Sequence, residues 1–108
     1  MSSRLEKIIV SLIHELHRIG VVNKNRIAEA IGIDEVFFVR EMGRYNYVEI
    51  AEELKKHPVF MSVDRKRAVY ARKKLEEILG TKVIKKRAKF GAAEGYLFIL
   101  PQQLQEQR

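Results

Sequence analysis

The sequence predicts a mainly helical domain closed by a C-terminal β-hairpin, in the order α-α-α-α-α-β-β. Three observations carry that expectation. Apolar residues recur at helical spacing from Leu5 to Leu79, with glycines or a proline after each run. Past Gly80 the pattern changes to strand-like segments. A Gly-containing stretch then separates two such segments, as a hairpin requires.

The first helix is expected from about Ser3 to Ile19. Leu5, Ile8, Ile9, Leu12, Ile13, Leu16 and Ile19 form one broad apolar stripe, and Gly20 is a natural stop. Asn23 or Asn25 caps a second helix carrying Ile27, Ala28 and Ile31, ended by Gly32. A third helix is expected from Asp34, its cap, to Met42, closed by Gly43. Asn46 begins a fourth, with Val48, Ile50, Ala51 and Leu54 on its apolar side. Pro58 ends that one, because the residue before a proline is biased away from helix. Ser62 or Asp64 caps a fifth, which buries Ala68, Ala71, Leu75, Ile78 and Leu79 and stops at Gly80. Lys82 to Lys89 and Tyr96 to Leu100 read as strands joined by a turn at Gly91–Gly95. Pro101 ends the second strand. Residues 1–101 thus form one domain, and 102–108 a polar, frayed tail.

A chain of 108 residues is long enough to bury a core without staples. With 46% hydrophobic and 32% charged residues it fits a folded protein rather than a disordered one. No cysteine is present, which excludes disulfides and thiolate metal sites. No apolar run is long enough to span a membrane, and the N-terminus lacks a signal-peptide pattern. A cytoplasmic protein with no membrane partner is expected. Its richness in Lys, Arg, Glu and Ile fits a thermophilic source.

Charge is the most informative property. The formal net charge is +7. From Asp64 to Phe90 there are eleven Lys or Arg against three acids, a net +8, while all other residues together carry −1. One 27-residue stretch therefore holds the whole excess. Charge spread only for solubility would be more even, so this concentration points to a polyanion partner.

Two segments carry a family likeness. Arg26 to Met42 holds an Ile27-Ala28 pair, an Ile31-Gly32-Ile33 turn, Phe38 and a final Met42. Small Ala28 permits close helix crossing, Gly32 a tight turn, and Ile33 plugs the angle. This segment resembles the helix-turn-helix units of bacterial and archaeal regulators. Its second helix, however, holds Asp34, Glu35, Glu41 and only Arg40, a face that DNA phosphates would repel. Tyr47–His57 and Asp64–Leu79, followed by the hairpin, resemble the core of a winged-helix domain. There the resemblance implies that the basic helix, residues 64–79, enters the major groove and the basic wing, residues 82–95, reaches the backbone. Arg65, Lys66, Arg67, Tyr70, Lys73 and Lys74 would then face bases and phosphates. Lys82, Lys85, Lys86, Arg87 and Lys89 would be wing contacts. The loop from Pro58 to Val63 is longer than many helix-turn-helix turns. Phe90 and Tyr96 offer rings that can stack on a base, although strand aromatics more often pack in a core.

Other polar residues point to no chemistry. His14 and His17 stand three apart on one helix without a third ligand, so no metal is expected. His57 suits a helix C-terminus. The glycines form no phosphate loop, and no nucleophile motif surrounds Ser62. Adjacent pairs Glu52/Glu53 and Glu76/Glu77 diverge on a helix and cannot act as an acid–base pair. No catalytic residue, cofactor or small-molecule ligand is expected, and the chain reads as a non-enzyme.

The expected function is binding of double-stranded DNA, specific or general, as in a transcriptional regulator. Lys and Arg would release counterions, and residues of the fifth helix would read base edges. The stripe on the first helix exceeds a small core's needs, so Leu5, Ile8, Leu12 and Ile19 are expected to serve a homodimer or partner surface. Two alternatives use the same sequence: an RNA-binding or ribosome-associated protein, and a protein-interaction subunit of a polymerase or replication assembly.

Overall fold

A four-stranded mixed sheet lies between two helical layers. The computed structural model describes residues 2–20 and 23–105, and the side chains of 2–6, 8, 104 and 105 lie outside that description. In chain order the elements are α1 (Ser2–Arg18), α2 (Lys24–Ile31), β1 (Phe37–Val39), a 3₁₀ turn (Met42–Arg44), α3 (Tyr47–Lys56), β2 (Val59–Met61), α4 (Arg65–Leu79), β3 (Ile84–Phe90), β4 (Ala93–Ile99) and α5 (Pro101–Gln105).

This corrects the expected helical domain with one hairpin. The sheet order is β1-β2-β4-β3, with strands interleaved among the helices. β1 pairs parallel to β2, and β4 runs antiparallel to both β2 and β3. Three strands therefore point one way and β4 alone points back. Such an arrangement is not a winged helix.

The helix expected over Asp34–Met42 is the main error. Val36 and Phe38 belong to one core, Phe37 and Val39 to the other. That is a period of two, and β-branched and aromatic residues suit it. The expected loop from Pro58 to Val63 contains β2, whose Val59, Phe60 and Met61 are all buried between the layers. The two strands lock together through Phe37 N–H to Pro58 O (2.9 Å) and Ser62 N–H to Val39 O (3.1 Å).

The other elements follow the sequence signals. Asn23 caps α2 through its side chain, and Gly32 closes it at φ +83°, a left-handed value that disfavours residues with a Cβ. Asn46 and Glu49 form a capping box on α3. Asp64 accepts the Arg67 N–H at 2.8 Å to start α4. β3 and β4 form the expected hairpin with a tighter turn, at Gly91–Ala92.

Each sheet face has its own core. α1 and α2 supply Ile9, Leu16, Ile27 and Ile31 to the layer over Phe60, Phe90, Leu97 and Ile99. α3 and α4 supply Ile50, Leu54, Ala71 and Leu75 to the layer over Val59, Met61 and Phe98. The α1 stripe is thus used largely within the chain. Leu12 packs on that core, Ile19 stays 54% exposed, and the Leu5 and Ile8 side chains fall outside the described ones. Beyond β4, the segment expected to fray begins instead as α5, with Gln103 buried.

Candidate nucleic-acid interface

α4 lies on the sheet through its small residues. Ala68, Ala71 and Leu75 are buried, and alanines let the helix approach closely. The exposed surface of its first three turns is mostly basic, and Glu76, Glu77 and Ile78 follow. Because α4 starts directly after β2, it runs back along the sheet, with its N-terminus at the end where β3 meets its turn. Arg65 and Arg67 accordingly line one open cleft of about 500 Å³ with Arg87 and Tyr96. At the other end, Glu76 Oε2 accepts the Val83 N–H at 3.0 Å and ties the close of α4 to the approach of β3.

Two basic rows therefore lie side by side. The first is α4, with Arg65, Lys66, Arg67 and Lys73 exposed and Arg72 and Lys74 half-buried. The second is the β3 edge, with Lys82, Arg87 and Lys89 exposed and Lys85 half-buried. Strand alternation divides the second row. Lys86 is in register with Leu97, whose side chain joins the α1–α2 core, so it stands on the face away from α4.

Few of these charges are compensated. Lys74 approaches Glu77 at 3.9 Å and Arg87 approaches Glu94 at 3.7 Å, both exposed pairs of small energetic weight. Among the described residues, Arg65, Lys66, Arg67, Arg72, Lys73, Lys82, Lys85 and Lys89 have no carboxylate within 4.0 Å. Lys85 feels this most. Burial holds its ammonium below the usual lysine range, and the charges of Arg72 and then Arg65 push it the same way. Its Nζ lies 5.0 Å from the Tyr96 ring centroid, within cation–π range. Arg72 is not among the contacts that the winged-helix resemblance implies. It lies seven residues, about two turns, from Arg65, which puts both on one flank of the helix.

The aromatic residues are mostly occupied. Tyr70 is 52% exposed but leans edge-on against Tyr47 at 5.7 Å, with Lys74 over its ring. Phe90 is 8% exposed and packs against Phe60 at 4.5 Å, which closes it to a base. His14 and His17 open onto a groove shared with Arg18, Arg87 and Lys89, a cationic setting that repels a metal ion. Among the described residues no three His, Asp or Glu side chains are grouped to hold a metal. Nor is any described helix long and apolar enough to cross a membrane.

Comparison with known protein families, curated proteins and solved structures finds no match to this chain.

Proposed function

We propose that this protein is a non-enzymatic binder of double-stranded nucleic acid, duplex DNA in the first instance, acting in the cytoplasm. The observation that carries the reading is the double row of cations on α4 and β3, in which Arg65, Lys66, Arg67, Arg72, Lys73, Lys82, Lys85 and Lys89 have no carboxylate within 4.0 Å among the described residues. An edge strand also carries lysines to block pairing with other chains. That role accounts for Lys82 and Lys89, but not for the arginines and lysines of α4, which is no sheet edge.

The mode of binding follows from the side chains. The outward face of α4 presents Lys66, Tyr70, Lys73 and Glu77, whose two lysines can reach phosphates or a guanine edge. Phosphate contact and counterion release supply most of the affinity. A duplex is favoured over a single strand because the aromatic rings of this face already pack on protein neighbours.

Fluorescence anisotropy with mixed-sequence duplex DNA over a salt series tests this. The wild type is expected to bind with steep salt dependence. A Lys66→Ala/Lys73→Ala/Arg87→Ala variant should lose roughly 0.9 of slope per charge removed. No binding at about 50 mM salt would refute the reading. Equal competition by duplex RNA would move it from DNA to duplex RNA.

A further inference from the structure

We propose that the cleft at the carboxyl ends of β1 and β2 binds a small aromatic carboxylate, its ring on Phe38, Phe60 and Phe90 and its head group at Arg40 and Arg44. This goes beyond the nucleic-acid reading and does not depend on it.

The sheet order puts the cleft there. β1 and β2 are parallel neighbours, so their carboxyl ends reach the same end of the sheet. The hairpin brings Phe90 to that end as well, because Met61 pairs with Tyr96 and Phe90 with Ala93. In open sheets, ligand crevices lie outside the carboxyl ends of parallel strands. The cleft holds about 660 Å³, a size common for small-molecule sites. Its described walls come from the strands, the 3₁₀ turn and the hairpin, with nothing from α1 or α2. The ring cluster thus reaches the open end of a core that those helices cover elsewhere.

The floor is aromatic. The Phe38 ring centroid lies 5.3 Å from those of both Phe60 and Phe90, which are 4.5 Å apart. Phe60 and Phe90 are buried, whereas Phe38 is half-buried and gives the floor an accessible surface. A flat apolar group entering there meets ring faces and edges and sheds water in doing so.

The rim supplies the charge. Arg40 follows β1 and Arg44 ends the 3₁₀ turn, where its N–H donates to Glu41 O at 3.1 Å and keeps the turn tight. Both side chains are exposed and line the cleft, and neither has an ion-pair partner among the described residues. Glu41 lines the cleft too, so two arginines and one glutamate leave a net +1. A single negative head balances that, and a run of phosphates does not. The planar guanidinium fork matches a carboxylate, which can take two charge-assisted hydrogen bonds from it.

The probe is 2-naphthoate, titrated into the isotope-labelled full chain and followed by amide NMR shifts. Wild type should bind with a Kd below about 1 mM, and the shifts should concentrate at residues 38–44 and 90–93. The uncharged analogue 2-naphthol should bind roughly tenfold more weakly. An Arg40→Gln/Arg44→Gln variant should lose roughly tenfold for 2-naphthoate and nothing for 2-naphthol. Phe38→Leu should weaken both probes alike. Arg67→Gln, on another cleft, is the control for general charge and should leave both unchanged.

Equal affinity for the two probes would overturn the anionic class of ligand. A loss in Arg67→Gln as large as in the rim variant would reduce the attraction to net charge and overturn the assigned head-group contacts. Tighter binding of 2-naphthyl phosphate than of 2-naphthoate would overturn the carboxylate. Shifts centred elsewhere, or none at about 10 mM probe, would overturn the site itself.

Discussion

The Nε2 of Gln103 donates to the carbonyl oxygen of Leu54 at 2.8 Å. That carbonyl needs an outside donor. Its helical partner would be the N–H four residues on, and that residue is Pro58, which has none. Gln103 Oε1 meanwhile accepts the Leu100 N–H at 3.1 Å, so one buried amide serves two backbone groups. Gln103→Met keeps the volume and abandons both. It should cost about 1–3 kcal/mol of stability by urea unfolding. A loss under about 0.5 kcal/mol would mean that water replaces the amide.

Gly95 governs how the chain leaves β2 for α4. A Cβ placed on it would lie 2.0 Å from the Met61 carbonyl oxygen and 2.8 Å from Ser62 Cα. Both are backbone atoms that cannot swing aside. Ser62 Oγ also donates to Glu94 O at 3.2 Å, which holds the crossing together. Gly95→Ala should destabilise by about 3 kcal/mol or more, read from the denaturation midpoint. Ala92, exposed on the turn, is the control site, and Ala92→Ser should stay within about 0.5 kcal/mol of wild type.

Register separates neighbouring lysines into different roles. Lys85 is opposite Phe98, on the α4 side, whereas Lys86 is opposite Leu97 and on the α1–α2 side. Lys86→Ala should therefore weaken duplex binding less than Lys85→Ala, although the two are adjacent in sequence. Equal losses in a salt-series anisotropy measurement would mean that the duplex wraps around the β3 edge.

The depressed Lys85 titration gives a pH dependence with a definite sign. Folding raises the cost of its charge, so below the folded pKa wild type carries the full penalty. As pH rises through that value toward 10.5, the usual lysine value, the folded protein loses the proton first and stability is recovered. The arginines stay charged throughout. The advantage of Lys85→Met over wild type should thus be constant near neutral pH and shrink as pH approaches 10.5. Urea midpoints of both proteins across pH 7 to about 10.5 read this out. An advantage that grows with pH would contradict the assigned cause.

Much of the secondary structure was legible. Asn23, Asn46 and Asp64 cap the helices they announce, and Pro58 and Gly80 end the ones they follow. These are local signals, settled by residues within one helical turn. β1 and β2 were not legible, because three residues hold too little of a period to tell strand from helix. Their partners are also remote: Phe37 pairs with Val59 across the whole of α3. Charged residues around Val36–Val39 added a helical look that no local rule corrects.

The place of the positive charge along the chain is legible from residue order alone, because formal charge belongs to each side chain's type. Most helix limits are legible too, since caps and breakers act on adjacent backbone. The layered sheet is not, since strand pairing is a contact between distant segments. The same is true of the site. Lys85 is turned toward the α4 side of the sheet and Lys86 away from it by pairing with β4. Burial, and with it the absence of a partner for Arg72 Nε, exists only once those layers close.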